Sequence, residues 1–229
     1  MPLEERLEHI LEAAIQEFIK TGEPVSSGLL YKRHEFGIRP AQIRNELQEL
    51  TELGFLDQPY HSAGRIPSDR GYEHFVTQCI EDAMDARPMF AEFQNFFKKS
   101  AWPNLAENIS TRFQLFSLID DQEHDTVYKD GLERLIENWD SPKEIKMVVR
   151  DIEHLDSRMD ALNDILEVGG DIGVFIGKKS PVTKNPELSV VAGKYEDEGG
   201  RGVTLVAIGP KRMNYQKVVG VFKTLQHIQ

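Results

Sequence analysis

The sequence predicts an α+β protein with an N-terminal winged helix-turn-helix module, a helical middle segment, and C-terminal helices that pack on a small antiparallel sheet. Three observations support this fold class. Helical apolar patterns fill residues 3–53, a hairpin pattern follows them directly, and three strand-like runs occur between residues 172 and 208. We place the three segments at residues 1–84, 85–125 and 126–229.

Three helices are predicted in the first segment. The first has apolar residues at spacings of three and four and ends at Thr21-Gly22. A serine pair, Ser26 and Ser27, offers an N-cap for the second, shorter helix. The third begins at Pro40, a favoured first helical position, and stops at Gly54. Its predicted buried stripe consists of Ile43, Leu47, Leu50 and Leu53.

The opposite face of the third helix is polar, and a hairpin follows it. Ala41, Asn45 and Gln48 point away from the stripe. Alone, such a face is more often a solvated surface. Residues 55–58 and 65–67, however, are typical of two short strands joined by a tight loop, and three helices plus a hairpin make a winged helix-turn-helix.

In that architecture the third helix enters the major groove of DNA, and the hairpin contacts the neighbouring backbone or the minor groove. Arg44 can bind guanine O6 and N7 in bidentate fashion, Asn45 or Gln42 can pair with adenine, and Arg65 can reach phosphates or a narrow minor groove. The candidate DNA-binding residues are Ser27, Arg39, Ala41, Gln42, Arg44, Asn45, Gln48, His61, Ser62 and Arg65.

The net charge argues against a nucleic-acid partner. It is −11 at pH 7, whereas phosphate neutralisation by Lys and Arg supplies most non-specific affinity for DNA. Between residues 28 and 70, however, six basic residues balance six acidic ones, so this stretch of the chain is locally neutral. The alternative hypothesis is a winged helix that binds another protein without specific DNA binding.

The remaining two thirds are predicted to be helical and then mixed. Ser68 caps a fourth helix, whose inner face includes Ala83 and, as a core residue, Cys79. Residues 87–122 are predicted to form two helices broken near Pro103, a linker or dimerisation segment. Three strands at residues 172–176, 189–195 and 203–208 form the sheet, and a final helix packs on it.

A long apolar repeat starts after residue 141. Ser141-Pro142-Lys143-Glu144 has the pattern of a capping box, and apolar residues then recur at spacings of three and four as far as Leu166. We interpret this repeat as a helix that covers the domain's own sheet, because its stripe is wider than a coiled-coil seam. A dimer seam is the alternative.

The sequence offers no pattern for catalysis or metal binding. It has no zinc-ligand spacing and no nucleophile motif, and its single cysteine cannot form an internal disulfide. We therefore expect no enzymatic activity, no cofactor and no metal. Without a long apolar run or a secretory signal, we also expect no membrane association, and a cytoplasmic, nucleoid-associated protein.

Several motifs resemble the heat-inducible transcription repressor family HrcA. Three of them resemble its N-terminal domain: Thr21-Gly22-Glu23-Pro24-Val25, Ile43-Arg44-Asn45-Glu46-Leu47 and Ser62-Ala63-Gly64-Arg65-Ile66-Pro67. Far downstream, Ile208-Gly209-Pro210-Lys211-Arg212-Met213-Asn214-Tyr215 is similar to the family's closing motif. Ile176-Gly177 and Tyr195 precede it in the expected order.

The resemblance implies a homodimer that binds double-stranded DNA at an inverted repeat called CIRCE, upstream of chaperone operons, and represses them until heat shock. It also implies the GroE chaperonin as a partner and no enzymatic activity. The family has a GAF-like domain with an inserted dimerisation domain. This chain lacks most of that insert and part of the GAF-like sheet, so we expect a shortened member with a reduced GAF-like domain.

The chain departs from the family at the start of the third helix and in the hairpin loop. The family usually has serine and threonine where this chain has Arg39 and Gln42. Arg39 cannot cap the helix through a side-chain oxygen, so we expect a loss of about 1 kcal/mol there and a phosphate contact in exchange. Tyr60 and His61 replace the usual histidine and threonine, which bears on operator preference.

Overall fold

The structure is a computed structural model that describes residues 3–82, 90–166, 172–197 and 199–226. The chain divides into two compact units, residues 1–77 and 78–229. The described residues of the expected middle segment, 90–125, belong to the second unit. Ala83, predicted on the inner face of the fourth helix, lies outside the described residues.

The first unit consists of helices and one short hairpin. Its elements are α1 (Glu5–Thr21), α2 (Ser27–Arg33), α3 (Pro40–Glu52), β1 (Leu56–Asp57), β2 (Ile66–Pro67) and the start of α4 (Asp69–Asp82). The predicted helix ends are confirmed. Gly22 ends α1 in the left-handed conformation, at φ 70°, and the hydroxyls of Ser26 and Ser68 accept backbone N–H groups at the starts of α2 and α4.

The stripe of α3 forms the centre of this unit. Ile43, Leu47 and Leu50 are buried, as predicted, and α3 packs against both α1 and α2. Leu53 differs from the prediction because it follows the last helical residue and is 40% exposed. Cys79, on α4, is buried, as predicted.

The second unit is a mixed unit of helices and one sheet. Its elements are α5 (Ala91–Lys98), α6 (Trp102–Phe113), β3 (Phe116–Asp121), β4 (Thr126–Asp130), α7 (Leu132–Ile136), α8 (Pro142–Glu153), α9 (Met159–Asn163), β5 (Gly173–Ile176), β6 (Leu188–Glu196), β7 (Gly202–Pro210) and α10 (Tyr215–Gln226), together with the last turns of α4. The strand order is β4-β3-β7-β6-β5, with every neighbouring pair antiparallel. The predicted combination of helices with an antiparallel sheet is therefore confirmed.

The sheet has five described strands instead of the predicted three, which corrects the all-helical middle segment. α5 and α6 are the two predicted helices, but residues 116–121 form β3, which pairs with β4 on one side and β7 on the other. Five of the six residues of β3 are buried. Such a strand shows no apolar alternation, so a single sequence does not distinguish it from a buried helix.

The apolar repeat after residue 141 covers the sheet, as we interpreted it. Val148, Ile152 and Leu155 share one core cluster with sheet residues such as Leu118 and Val206. The repeat is not one continuous helix, because α8 ends at Glu153 and a 3₁₀ turn precedes α9. The predicted capping box is also wrong, since the Ser141 side chain makes no capping bond.

Helices cover both faces of the sheet. Residues 116 and 118 of β3 face α8 and α9, whereas the hydroxyl of Ser117 donates to a carbonyl of α6. On the same face as Ser117, the hydroxyl of Tyr195 donates to the Phe222 carbonyl of α10 at 3.1 Å. Within the described ranges, every helix is too short or too polar to span a bilayer.

Candidate nucleic-acid interface

The polar face of α3 is presented to solvent. Ala41, Gln42, Arg44, Asn45 and Gln48 are all exposed, while the apolar residues between them are buried. This separation follows from the helical period, which places positions 41, 45 and 48 opposite positions 43, 47 and 50. The face is therefore accessible to a partner.

Gln42 caps the start of α3. Its Oε1 accepts a hydrogen bond from the backbone N–H of Arg39 at 3.2 Å, and Pro40 occupies the first helical position. A glutamine at the third helical position can supply this bond even when the N-cap residue has no side-chain oxygen. The expected loss of capping at Arg39 is thus partly offset by Gln42, a residue that we had predicted as a base contact.

A substitution at Gln42 tests this capping role. Gln42→Ala is expected to lower the free energy of unfolding by about 0.5–1 kcal/mol, because the Arg39 N–H loses its acceptor. Gln42→Glu retains the acceptor and places a negative charge at a helix N-terminus, so it should stay as stable as the unmodified chain. Urea denaturation measures both; equal losses in the two variants would contradict the capping role.

Three segments of the first unit converge on one cleft. Its lining residues are Val25, Ser26 and Ser27 before and at the start of α2, Arg44, Asn45, Leu47 and Gln48 on α3, and Gln58, His61, Ser62, Ala63, Gly64 and Arg65 around the hairpin loop. Seven of the ten candidate residues line it: Ser27, Arg44, Asn45, Gln48, His61, Ser62 and Arg65. The other three, Arg39, Ala41 and Gln42, are exposed at the start of α3 and do not line the cleft.

The cleft depends on a backbone pairing that brings the hairpin to the start of α2. Val25 and Arg65 exchange two backbone hydrogen bonds, each of 2.8 Å. Gly64 permits this approach, since a Cβ at that position would lie 2.5 Å from the Val25 carbonyl oxygen. Ser27, which follows this pairing, is only 9% exposed and contributes to the cleft wall.

The hairpin loop is held by a glutamine that the sequence analysis missed. The Gln58 amide donates to the carbonyl of His61 at 2.9 Å and to that of Ala63 at 3.1 Å. Tyr60 remains 64% exposed, and His61 and Ser62 are exposed beside it. No residue pattern could have indicated this role, because both acceptors are main-chain atoms whose positions depend on the folded loop.

Charge is distributed unevenly along α3. Glu46 pairs with Arg6 of α1, with 2.6 Å between the charged groups. The side chains of Arg39 and Arg44 make no ion pair with any residue in the described ranges, so both remain available to an anionic partner. Glu49 lies one helical turn beyond Asn45 and lines a surface depression with Asn45, Gln48 and Glu52, so the C-terminal half of this face is acidic.

A buried carboxylate joins α1 to the end of α2. Glu17 is 2% exposed, and Arg33, His34 and Lys20 all donate to it. Burial raises the pKa of its carboxyl group. The hydrogen bonds from these three residues lower it by more, so the pKa lies below the ordinary value. This cluster fixes α2, whose first residues border the cleft.

The lowered pKa of Glu17 predicts acid sensitivity. A carboxyl group with a lower pKa in the folded state stabilises the fold above its unfolded pKa of about 4.5 and loses that contribution as the pH falls through the folded value. Glu17→Gln should therefore show a smaller loss of unfolding free energy below pH 4.5 than the unmodified chain. Urea denaturation at several pH values tests this, with Glu49→Gln as the exposed control; equal pH dependence in all three chains would contradict it.

The described residues offer no metal site. Among residues 3–82, 90–166, 172–197 and 199–226, no group of three or more His, Cys, Asp or Glu side chains is placed to hold an ion. The candidate site in the first unit is instead built from arginine, amide and hydroxyl groups around an open cleft. These are groups that bind phosphates and base edges.

The fold and cleft define a two-unit protein in which a helical, hairpin-bearing module precedes a sheet covered by helices. The family model described as HrcA protein C terminal domain matches residues 73–219, more than half of the chain. The chain therefore belongs to the HrcA family.

Individual relatives agree with this assignment. The chain is 51% identical over 93 residues to the heat-inducible transcription repressor HrcA of Moorella thermoacetica. This match covers 41% of this chain and 27% of the relative. It is 40% identical over 110 residues to the protein of the same name from Thermoanaerobacter sp. (strain X514). This second match covers 44% of this chain and 32% of the relative. The matched part of the chain thus spans about a third of the length of these relatives or less.

One solved structure shares the fold over nearly its whole length. It is the crystal structure of a hypothetical protein at 2.2 Å resolution, with a TM-score of 0.78, 16% sequence identity, and coverage of 98% of this chain and 97% of the other. At this identity the likeness shows the fold alone. It shows that the same arrangement of helices and strands occurs in a crystallised protein of similar extent.

Proposed function

We propose that the chain is a DNA-binding transcription repressor of heat-shock genes and that its first unit is a winged helix-turn-helix. In this proposal α3 is the recognition helix and the hairpin is the wing. The observation that carries the proposal is the cleft in which Arg44 and Asn45 of α3, the start of α2 and the hairpin loop meet. Family membership and the printed name of the relatives, heat-inducible transcription repressor, support the same function.

The chemistry of α3 suits major-groove recognition. The N-terminal half of a recognition helix contacts the bases, and here that half carries exposed Gln42, Arg44 and Asn45. The arginine fork matches guanine O6 and N7, and the amide of Asn45 matches adenine N6 and N7. We assign a phosphate contact to Arg39, which is exposed just before the helix.

We further propose that two copies act together on an inverted repeat of the CIRCE type upstream of chaperone genes. A twofold operator is read by a twofold pair of modules, so the recognition helices should lie about 34 Å apart, one turn of DNA. We assign dimerisation and regulation to the second unit, as a reduced GAF-like domain. Sedimentation of the chain with and without the duplex measures the number of copies bound.

A gel-shift titration of the whole chain tests the function. The probes are a duplex carrying the CIRCE inverted repeat and a scrambled duplex of equal composition, each at two salt concentrations. A repressor should retain the inverted repeat preferentially, and its affinity should fall as salt rises. Equal, weak binding to both duplexes would favour the alternative, a winged helix that binds protein, which the net charge of −11 would suit.

A further inference from the structure

The guanidinium of Arg65 is occupied by the protein itself. Its Nε donates to the Thr51 hydroxyl at 2.9 Å and its Nη2 donates to the Gln48 Oε1 at 2.8 Å. Its Nη1 lies 3.5 Å from the Ala63 carbonyl, and its backbone pairs with Val25. One side chain of the hairpin therefore binds two residues of α3.

The acceptors of these bonds are themselves fixed. The Thr51 hydroxyl donates to the Leu47 carbonyl at 2.8 Å, which turns its lone pairs toward Arg65. The Gln48 amide donates to Glu52 at 3.0 Å, which leaves its Oε1 as the acceptor for Arg65. Charge-assisted bonds in such a chain are stronger than isolated neutral ones, and each member holds the next in one orientation.

The two arginines of the cleft differ in this respect. Arg65 is half-buried and has donors committed to α3, whereas Arg44 is exposed and its side chain bonds to no residue in the described part of the chain. An arginine that binds a phosphate needs free donors directed at solvent. Only Arg44 meets that condition.

Resting on the proposed function, we propose that Arg65 is a positioning residue that sets the angle of the hairpin loop against α3 and does not itself bind DNA. This differs from the phosphate or minor-groove contact that the sequence suggested. With the angle fixed, His61 and Ser62 at the loop and Arg44 on the helix reach one duplex at the same time. Specific affinity thus depends on Arg65 through the residues that it orients.

Three variants of the whole chain test the role: Arg65→Lys, Arg65→Gln and Thr51→Val. Each is titrated with the inverted-repeat and scrambled duplexes over a range of salt. Arg65→Lys should bind the inverted repeat about tenfold more weakly, because one ammonium does not reproduce the two-pronged contact. Arg65→Gln should lose as much affinity for the inverted repeat. The slope of log affinity against log salt should not change, because no phosphate contact is removed.

Thr51→Val keeps Arg65 and its charge but removes one acceptor. It should lower specific affinity about threefold, and adding it to Arg65→Lys should cost little more, because both changes break the same contact. Binding to the scrambled duplex should hardly change in any variant. Thermal melting of each variant without DNA separates a loss of fold from a loss of orientation. If an Arg65 variant does not fold, Thr51→Val alone tests the positioning role.

Two results would overturn the positioning role. One is near-normal affinity of Arg65→Lys together with a salt slope about 0.9 smaller for Arg65→Gln, which is the signature of a direct phosphate contact. The other is a Thr51→Val variant that prefers the inverted repeat over the scrambled duplex as strongly as the unmodified chain does. If the unmodified chain does not prefer the inverted repeat, the proposed function fails and the positioning role falls with it, so the two failures are distinguishable.

Discussion

Replacing Arg44 with alanine is expected to remove most of the chain's preference for the inverted repeat. A bidentate arginine contact to guanine contributes about 1–3 kcal/mol of discrimination, so the ratio of specific to non-specific affinity should fall roughly 5- to 150-fold. The side chain is exposed and bonds to no described residue, so stability should hardly change. Gel-shift titration against both duplexes, together with thermal melting, measures the two quantities.

Arg39→Ala is the informative comparison for Arg44→Ala. Both remove one exposed arginine near the start of α3, but we propose that Arg39 contacts a phosphate. Its loss should weaken binding to the two duplexes alike and reduce the salt slope by about 0.9. Arg150→Ala, which removes an exposed arginine of the second unit, is the negative control. Unaltered operator preference in Arg44→Ala would contradict the assignment of that residue to a base contact.

Replacing Asp151 with alanine should cost the most stability. This carboxylate is buried and accepts hydrogen bonds from the backbone N–H groups of Lys184 and Asn185 and from Arg158, the last at 2.8 Å. It therefore ties the segment before β6 to α8. Its removal leaves two backbone donors without their acceptor and takes the charged partner from Arg158, which keeps only the Val182 carbonyl. We expect the free energy of unfolding to fall by about 3 kcal/mol.

Asp156→Ala is the matched control for the buried aspartate. Asp156 also forms an ion pair, at 2.6 Å to Lys129, but its side chain is 58% exposed. An exposed pair contributes little, so the loss should stay below about 0.5 kcal/mol. Urea denaturation followed by tryptophan fluorescence measures both, because Trp102 and Trp139 belong to the second unit. Similar losses in the two variants would contradict an anchoring role for Asp151.

Local patterns predicted the helices of the first unit, most of their ends and the two short strands of the hairpin. The ends of α1 and α3 and the caps of α2 and α4 depend on residues such as Gly22, Ser26 and Pro40, which act on their immediate neighbours. The exposed face of α3 follows from a helical period that the sequence contains in full. These features need no knowledge of distant residues.

Seven of the residues that line the cleft were predicted from the sequence, but the hydrogen bonds among its side chains were not. The positions of Arg44 and Asn45 on the helix and of Arg65 in the hairpin predict that the three lie near one another, and all three line the cleft. The sequence did not predict three sets of hydrogen bonds: those from Arg65 to α3, the cap formed by Gln42, and those from Gln58 to the hairpin loop. Each depends on side-chain geometry within a folded module, and no sequence period encodes it.

The sequence by itself determined the helices of the first unit, the polar face of α3 and the resemblance to the HrcA family. Tertiary structure alone decided that residues 116–121 form a strand, because β3 is held by pairing with β7, more than 80 residues later in the chain. It also decided that the hairpin reaches the start of α2, through the Val25 and Arg65 backbone. The physical reason is the same in both cases: periodicity and capping act within a few residues, whereas sheet pairing and buried hydrogen bonds join residues that only folding brings together.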